Sequence, residues 1–278
     1  MTFALDHIVI NVLFDMDRAA AAMSQLGFTV TPRGYHTLGS INHLMMFDGP
    51  YLELIGLPSG TDALRTDLLE SPRGLNGLVF GASDIDRCRR TLMDSGLAML
   101  EPQSFSRPVT IDGVEHAARF RTARTAPELF EAGRIYYCQH LTPELVWHRP
   151  WMSHPNGVRG LRELVVVTSN LEADGSRYAK AAQASLGLQG GEGIIAIEGG
   201  FQITLISPER YRERYGELAI EMGDRHSVFG AIVVDTPDLG RIRDLVASLP
   251  EARVEVKKDS IALLITFLNT LFEFRNDL

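Results

Sequence analysis

The chain has 278 residues, 45% hydrophobic and 22% charged, with a formal net charge of −8. This is an ordinary globular composition, long enough for a substantial core and without a low-complexity segment. The absence of a Lys/Arg-rich run or a basic half argues against nucleic acid as a partner, and two cysteines in unrelated contexts, Cys88 and Cys138, fit a reducing compartment better than a disulfide scaffold.

The N-terminal stretch "MTFALDHIVINVLFDMD" lacks a basic region, and acids interrupt it early. No signal peptide or membrane span is expected, and the cytoplasm is the expected location. From Leu5, "LDHIVINV" has strand character, Asp15 holds a helix N-cap position, and an amphipathic run closes at Gly27. Strand-like "FTVTP", "NHLMMF" and "YLELIGL" follow. The joint 58–74 leads to a second copy of this grammar from Leu75, with Asp84 and Gly96 as caps and a long excursion between its last strands. A third copy begins at Leu161, with Asn170 and Gly187 as caps and then "GIIAIEG" and "FQITLIS", split by Gly199-Gly200. A fourth begins at Val228, with Asp238 as N-cap and Pro250 in place of the closing glycine, then "ARVEVKK", "ALLITFL" and "TLFEFR".

The unit is therefore β-α-β-β-β, repeated four times. A sheet with one helix hides only one face, so modules one and two, and modules three and four, are expected to pair into two half-open barrels. The fold class is α+β, with domains at 1–150 and 158–278. The segment 147–160 is an irregular linker, and its Trp147 and Trp151 are expected to pack between the halves.

Two strands carry residues foreign to an apolar pattern. Alternation puts His7, Val9 and Asn11 on one face of the first strand and Tyr51, Glu53 and Ile55 on one face of another. A buried carboxylate needs a partner, and an imidazole plus a cation supplies one. In the second module, "YYCQHLTPELVW" offers His140 in one register and Gln139 in the other. His7, Glu53 and His140 would form a two-imidazole, one-carboxylate set for Fe, Mn, Zn or Ni. Modules three and four have Glu163 and Glu273 but no equivalent His, so no transition-metal site is expected there. His154 and Asn156 read as turn residues, and Arg119 and Arg121 as an exposed strand face.

With "LDHIVINV", "LGFTVTPRGYHTLGSINHLMMFDGPYLELIG", "YYCQHLTPELVW" and "HPNGVRGL", the chain resembles the vicinal oxygen chelate superfamily, and within it the glyoxalase-like domain group. The resemblance is close over roughly residues 4–165. It implies a divalent metal ion held by His7 and Glu53, with Glu53 as the catalytic residue. Substrate contact is expected at His36, Asn42 and Gln139, the last in the register that turns Gln139 rather than His140 inward. The superfamily often places another ligand where this chain has Gly77, so the third ligand falls to His140. The expected function is a metal-dependent lyase or isomerase acting on a small oxygen-rich molecule. The alternatives are a ring-cleaving dioxygenase and a metal-free binding protein. A small-molecule substrate is expected, nucleic acid and membrane are not, and a homodimer is left open.

Overall fold

A computed structural model describes residues 2–60, 65–249 and 251–276. The first half runs β1 (Leu5–Leu13), α1 (Met16–Gln25), β2 (Gly34–Tyr35), β3 (Ile41–Met45), β4 (Tyr51–Gly56), α2 (Thr66–Leu69), β5 (Gly74–Gly81), α3 (Ile85–Asp94), β6 (Gln103–Ile111), β7 (Val114–Arg124) and β8 (Arg134–His140). The second half runs β9 (Gly160–Thr168), α4 (Leu171–Ala182), β10 (Leu186–Gln189), β11 (Glu192–Ala196), β12 (Gln202–Ile206), α5 (Pro208–Tyr215), β13 (Ser227–Asp235), α6 (Leu239–Val246), β14 (Ala252–Val256), β15 (Ser260–Ile265) and β16 (Thr270–Arg275). No described helix is long and apolar enough to cross a membrane.

Each half is one eight-stranded sheet, ordered β2-β3-β4-β1-β5-β8-β7-β6 and β10-β11-β12-β9-β13-β16-β15-β14. Two βαβββ modules meet at an antiparallel central pair, β1 with β5 and β9 with β13. The first sheet curls until its edges touch. The Thr37 amide donates to Ser106 O at 2.9 Å, and the Ser106 amide donates to Thr37 Oγ1 at 3.1 Å. Alternation then sorts the side chains: Ile8, Ile10, Leu52 and Leu54 enter the core beneath the helices, while Val9, Tyr51 and Ile55 line the concave face.

The helix caps follow the expected signals in part. Asp84, Asn170 and Asp238 accept amide hydrogens in the first turns of α3, α4 and α6. Asp15 makes no such bond and pairs with Arg73 instead. Gly27 and Gly96 take positive φ just beyond their helices. Gly187 does not: α4 ends earlier, with Gln183 in the left-handed conformation, and Gly187 lies within β10. "FTVTP" is not a strand: only Thr31 reaches β3, its amide donating to Leu44 O, its Oγ1 accepting from Leu44 N and its carbonyl meeting His43 Nδ1. Two short helices in the connections, α2 and α5, have no counterpart in the sequence reading. Pro250 and residues 61–64 of the first joint lie outside the described residues.

The linker residues also sit differently from expectation. Trp147 packs on the concave side of the first sheet, against Tyr51 and His140, and its Nε1 donates to Gly49 O at 2.8 Å. Trp151 joins the same apolar cluster. His154 and Asn156 are buried rather than simple turn residues. Thr29 N donates to His154 Nδ1 at 3.0 Å, and His154 Nε2 donates to Met46 O at 2.8 Å. Asn156 donates to Leu26 O through its side chain and to Gly27 O through its amide, locking the linker to the end of α1.

Candidate metal and substrate centre

The concave face of the first sheet forms a narrow cleft with about 50 Å³ of free volume. His7 and Glu53 stand on its floor, 4% and 6% exposed. Their strands are parallel neighbours with Val9 opposite Glu53, and His7 Nε2 lies 3.5 Å from Glu53 Oε2. Tyr51 stacks on the His7 ring, centroids 4.5 Å apart. The Tyr136 hydroxyl approaches His7 Nε2 at 3.4 Å. In the second module Tyr136 sits opposite Val79, as Glu53 sits opposite Val9, so it is the counterpart of Glu53.

A hydrogen-bonded chain crosses the sheet at this level. Ser40 Oγ bonds His36 Nδ1 at 2.9 Å, and Asn42 Nδ2 bonds His36 Nε2 at 3.3 Å and donates to Glu53 Oε1 at 2.6 Å. On the far side, His7 Nδ1 donates to Asp6 Oδ1 at 2.5 Å, and Asp6 Oδ2 meets His140 Nε2 at 2.9 Å. Burial works to raise the Glu53 carboxyl, but His7, His36 and Asn42 bring it down to about 2. Burial opposes the His7 imidazolium, yet Asp6 and Glu53 hold it up to about 9. Burial pushes His36 down to about 4, so it is neutral near pH 7 and supports Asn42.

The donor set fits a divalent ion. With its Nδ1 proton given to Asp6, His7 aims Nε2 toward Glu53 Oε2 and the Tyr136 oxygen, and an ion bound there would replace the proton that Nε2 carries in the charged imidazole. A carboxylate behind a histidine is the usual support for a metal ligand. Nitrogen and oxygen donors together suit the first-row divalent ions.

His36 and Asn42 line the cleft beside Glu53, Asn42 from within β3. His140 does not converge with His7 and Glu53. It lies beyond Asp6, and the donors that come within 4.8 Å of one another are Asp6, Cys138 and His140. Its Nδ1 is buried without a partner. Gln139 points away from the cleft, accepting from Ile85 N and donating to Ser83 O at the start of α3. Gly77 is empty for a steric reason: a Cβ there would stand 2.8 Å from Val9 Cβ across the central strand pair. The sequence reading missed Asp6, Tyr136 and the cleft arginines Arg65, Arg107, Arg124 and Arg134. The one available signal was the acid directly before His7.

The second sheet's concave face is occupied by its own chain. Tyr211 and Tyr215 of α5 pack on Val165, Val167 and Val233. Glu163 and Glu273 are each met by guanidinium groups. Arg214 bonds Glu163 Oε1 and Glu273 Oε2, both at 2.9 Å, and Arg275 bonds Glu273 Oε1 at 2.7 Å.

The family model described as glyoxalase-like domain matches residues 5–182. No curated protein matches the chain significantly in sequence. Among solved structures, a hypothetical protein from Staphylococcus aureus is similar over 98% of both chains, at 10% identity and TM-score 0.69. A triple mutant of 4-hydroxymandelate synthase from Streptomyces coelicolor aligns over 99% of this chain and 93% of its own, at 14% identity and TM-score 0.55. A xylose isomerase-like TIM barrel/4-hydroxyphenylpyruvate dioxygenase fusion protein aligns over 99% of this chain and 49% of its own, at 11% identity and TM-score 0.58. At these identities the likeness is one of fold.

Proposed function

The chain belongs to the glyoxalase-like domain family, and from that premise we propose that it is a divalent-metal-dependent lyase or isomerase acting on a small oxygen-rich metabolite in the first cleft. The observation that carries this reading is the approach of His7 Nε2 to Glu53 Oε2 at 3.5 Å, with Asp6 behind the imidazole. His7 and Glu53 would hold the ion, with the Tyr136 oxygen as the third donor. An ion there would act as a Lewis acid toward substrate oxygens and stabilise a developing oxyanion. Glu53 is ionised, and Asn42 pins its Oε1, so Oε2 is the atom that meets an ion or accepts a substrate proton. Tyr51 stacked on His7 and Trp147 behind it restrict water around the imidazole.

A metal-free binding protein is the second reading, because His7 held up to about 9 is an imidazolium already compensated by Asp6 and Glu53. Elemental analysis of protein purified without a metal-affinity step separates the two. About one equivalent of Fe, Mn, Zn or Ni is expected in the wild type, lost in His7→Ala and in Glu53→Gln. No metal after reconstitution, or full metal in both variants, overturns the reading. Turnover of catechols but not of α-ketoaldehydes would replace isomerisation by ring cleavage at the same residues.

A further inference from the structure

We propose that the substrate of this cleft carries a carboxylate group, seated on the guanidinium of Arg107. The inference rests on the reading of the first cleft as a substrate site and names the chemical class it takes.

Arg107 belongs to β6 and lines the same cleft as His7 and Glu53, yet it is only 4% exposed. The other cleft arginines are engaged. Arg65 donates to Asp67 Oδ1 at 3.0 Å and to Oδ2 at 2.6 Å, Arg124 donates to Asp67 Oδ2 at 2.7 Å, and Arg134 donates to Asn76 Oδ1 at 2.8 Å. Among the described residues, Arg107 has no ion pair and no side-chain hydrogen bond. The nearby carboxylate, Glu53, is already taken by His7 and Asn42. A buried charge without a counter-ion is expensive, and arginine cannot escape by losing its proton. The missing anion is therefore expected to come from a ligand.

Position and charge narrow the class. A Cβ on Gly34 would lie 3.0 Å from Arg107 Cδ and would also press on Asn42 Oδ1. The bare glycine lets Arg107 run alongside Asn42, which donates to Glu53. An anion on Arg107 thus sits next to the metal-binding and acid–base end of the cleft. One free positive charge balances one negative charge, and the planar fork of guanidinium matches a carboxylate in two parallel hydrogen bonds. Small 2-oxo and 2-hydroxy carboxylates combine that head with the adjacent oxygen the centre requires.

Calorimetric titration of the purified full chain with pyruvate, phenylpyruvate and lactate, and with lactamide as the uncharged isostere, tests this. Wild type should bind at least one of the acids, and lactate at least about tenfold more tightly than lactamide, the scale of a lost charge-assisted bond. Arg107→Met should lose the acid affinity by a similar factor and keep its metal content, and Arg107→Lys should recover part of it. Equal affinity for lactate and lactamide, undiminished acid binding by Arg107→Met, or no binding of any acid at high millimolar concentration overturns the inference. If Arg107→Met fails to fold, the acid–amide comparison on wild type decides alone. Metal present with indifference to charge sinks the carboxylate and spares the metal reading. Arg107-dependent acid binding without metal does the reverse.

Discussion

Strict alternation along β1 would put Asp6 on the face opposite His7, among the apolar side chains under the helices. The register instead slips between Leu5 and His7, which pair with Phe80 and Val79, so Asp6 is the extra residue of a bulge. The bulge turns its carboxylate to the cleft side, between His7 and His140, where both imidazoles hold its pKa well below the ordinary range against the effect of burial. This placement fixes the His7 tautomer and raises the basicity of Nε2. Asp6→Asn keeps an acceptor for His7 Nδ1 but removes the charge. We expect metal affinity to fall by about ten- to a hundredfold without loss of the site, measured by competition against a chromophoric chelator. Unchanged affinity would mean that Asp6 serves only to order His140.

At the scale of elements, what the sequence made legible followed from period and what it hid followed from irregularity. Alternation in "DHIVINV" and "YLELIG" placed His7 and Glu53 on the concave face because β1 pairs with β4 in unbroken register from His7 to Asn11, opposite Tyr51 to Ile55. His140 and Gln139 were ambiguous because a strand's end has no downstream pattern to fix its face, and Asp6 was hidden by its bulge. Arg107 was invisible for a different reason. It lies in the alternating strand "QSFSRPVTI", and only closure of the sheet through Thr37 and Ser106 turns that edge strand into a wall of the cleft. The helix α5 was missed because "PERYRERY" reads as a charged surface turn, whereas its two tyrosines pack on the concave face of the second sheet. Arg214 on that helix neutralises Glu163 and Glu273, both nearly buried. Arg214→Met should therefore destabilise the protein by about 3 kcal/mol, since it leaves buried carboxylates underpaired. Urea denaturation reads this directly. A loss below about 1 kcal/mol would show that Arg275 alone suffices.

Across the whole molecule, the repeats do not end in two independent cores. One apolar cluster runs through the helix-bearing faces of both sheets, with Phe28 against Phe272 and Phe130 against Tyr178. The Tyr137 hydroxyl donates to Ala181 O at the end of α4, at 2.7 Å. The linker is built into this body by His154, whose Nδ1 must stay unprotonated to accept from Thr29 while Nε2 donates to Met46. Burial lowers its pKa below the ordinary 6.5, only partly offset by the bond to Met46 O. Between that lowered value and 6.5 the unfolded chain binds the extra proton, so this contribution to stability is whole above pH 6.5 and declines on acidification. His36 and His43 shift in the same direction, so the wild-type profile alone cannot isolate His154. His154→Gln can, because its side-chain oxygen and amide can repeat both bonds without titrating. Denaturation midpoints at pH 7.5 and pH 5.5 should differ less in His154→Gln than in wild type, with a single transition in both because the core is shared. Equal pH sensitivity would relieve His154 of this role, and two separated transitions would show that the halves unfold independently despite their common core.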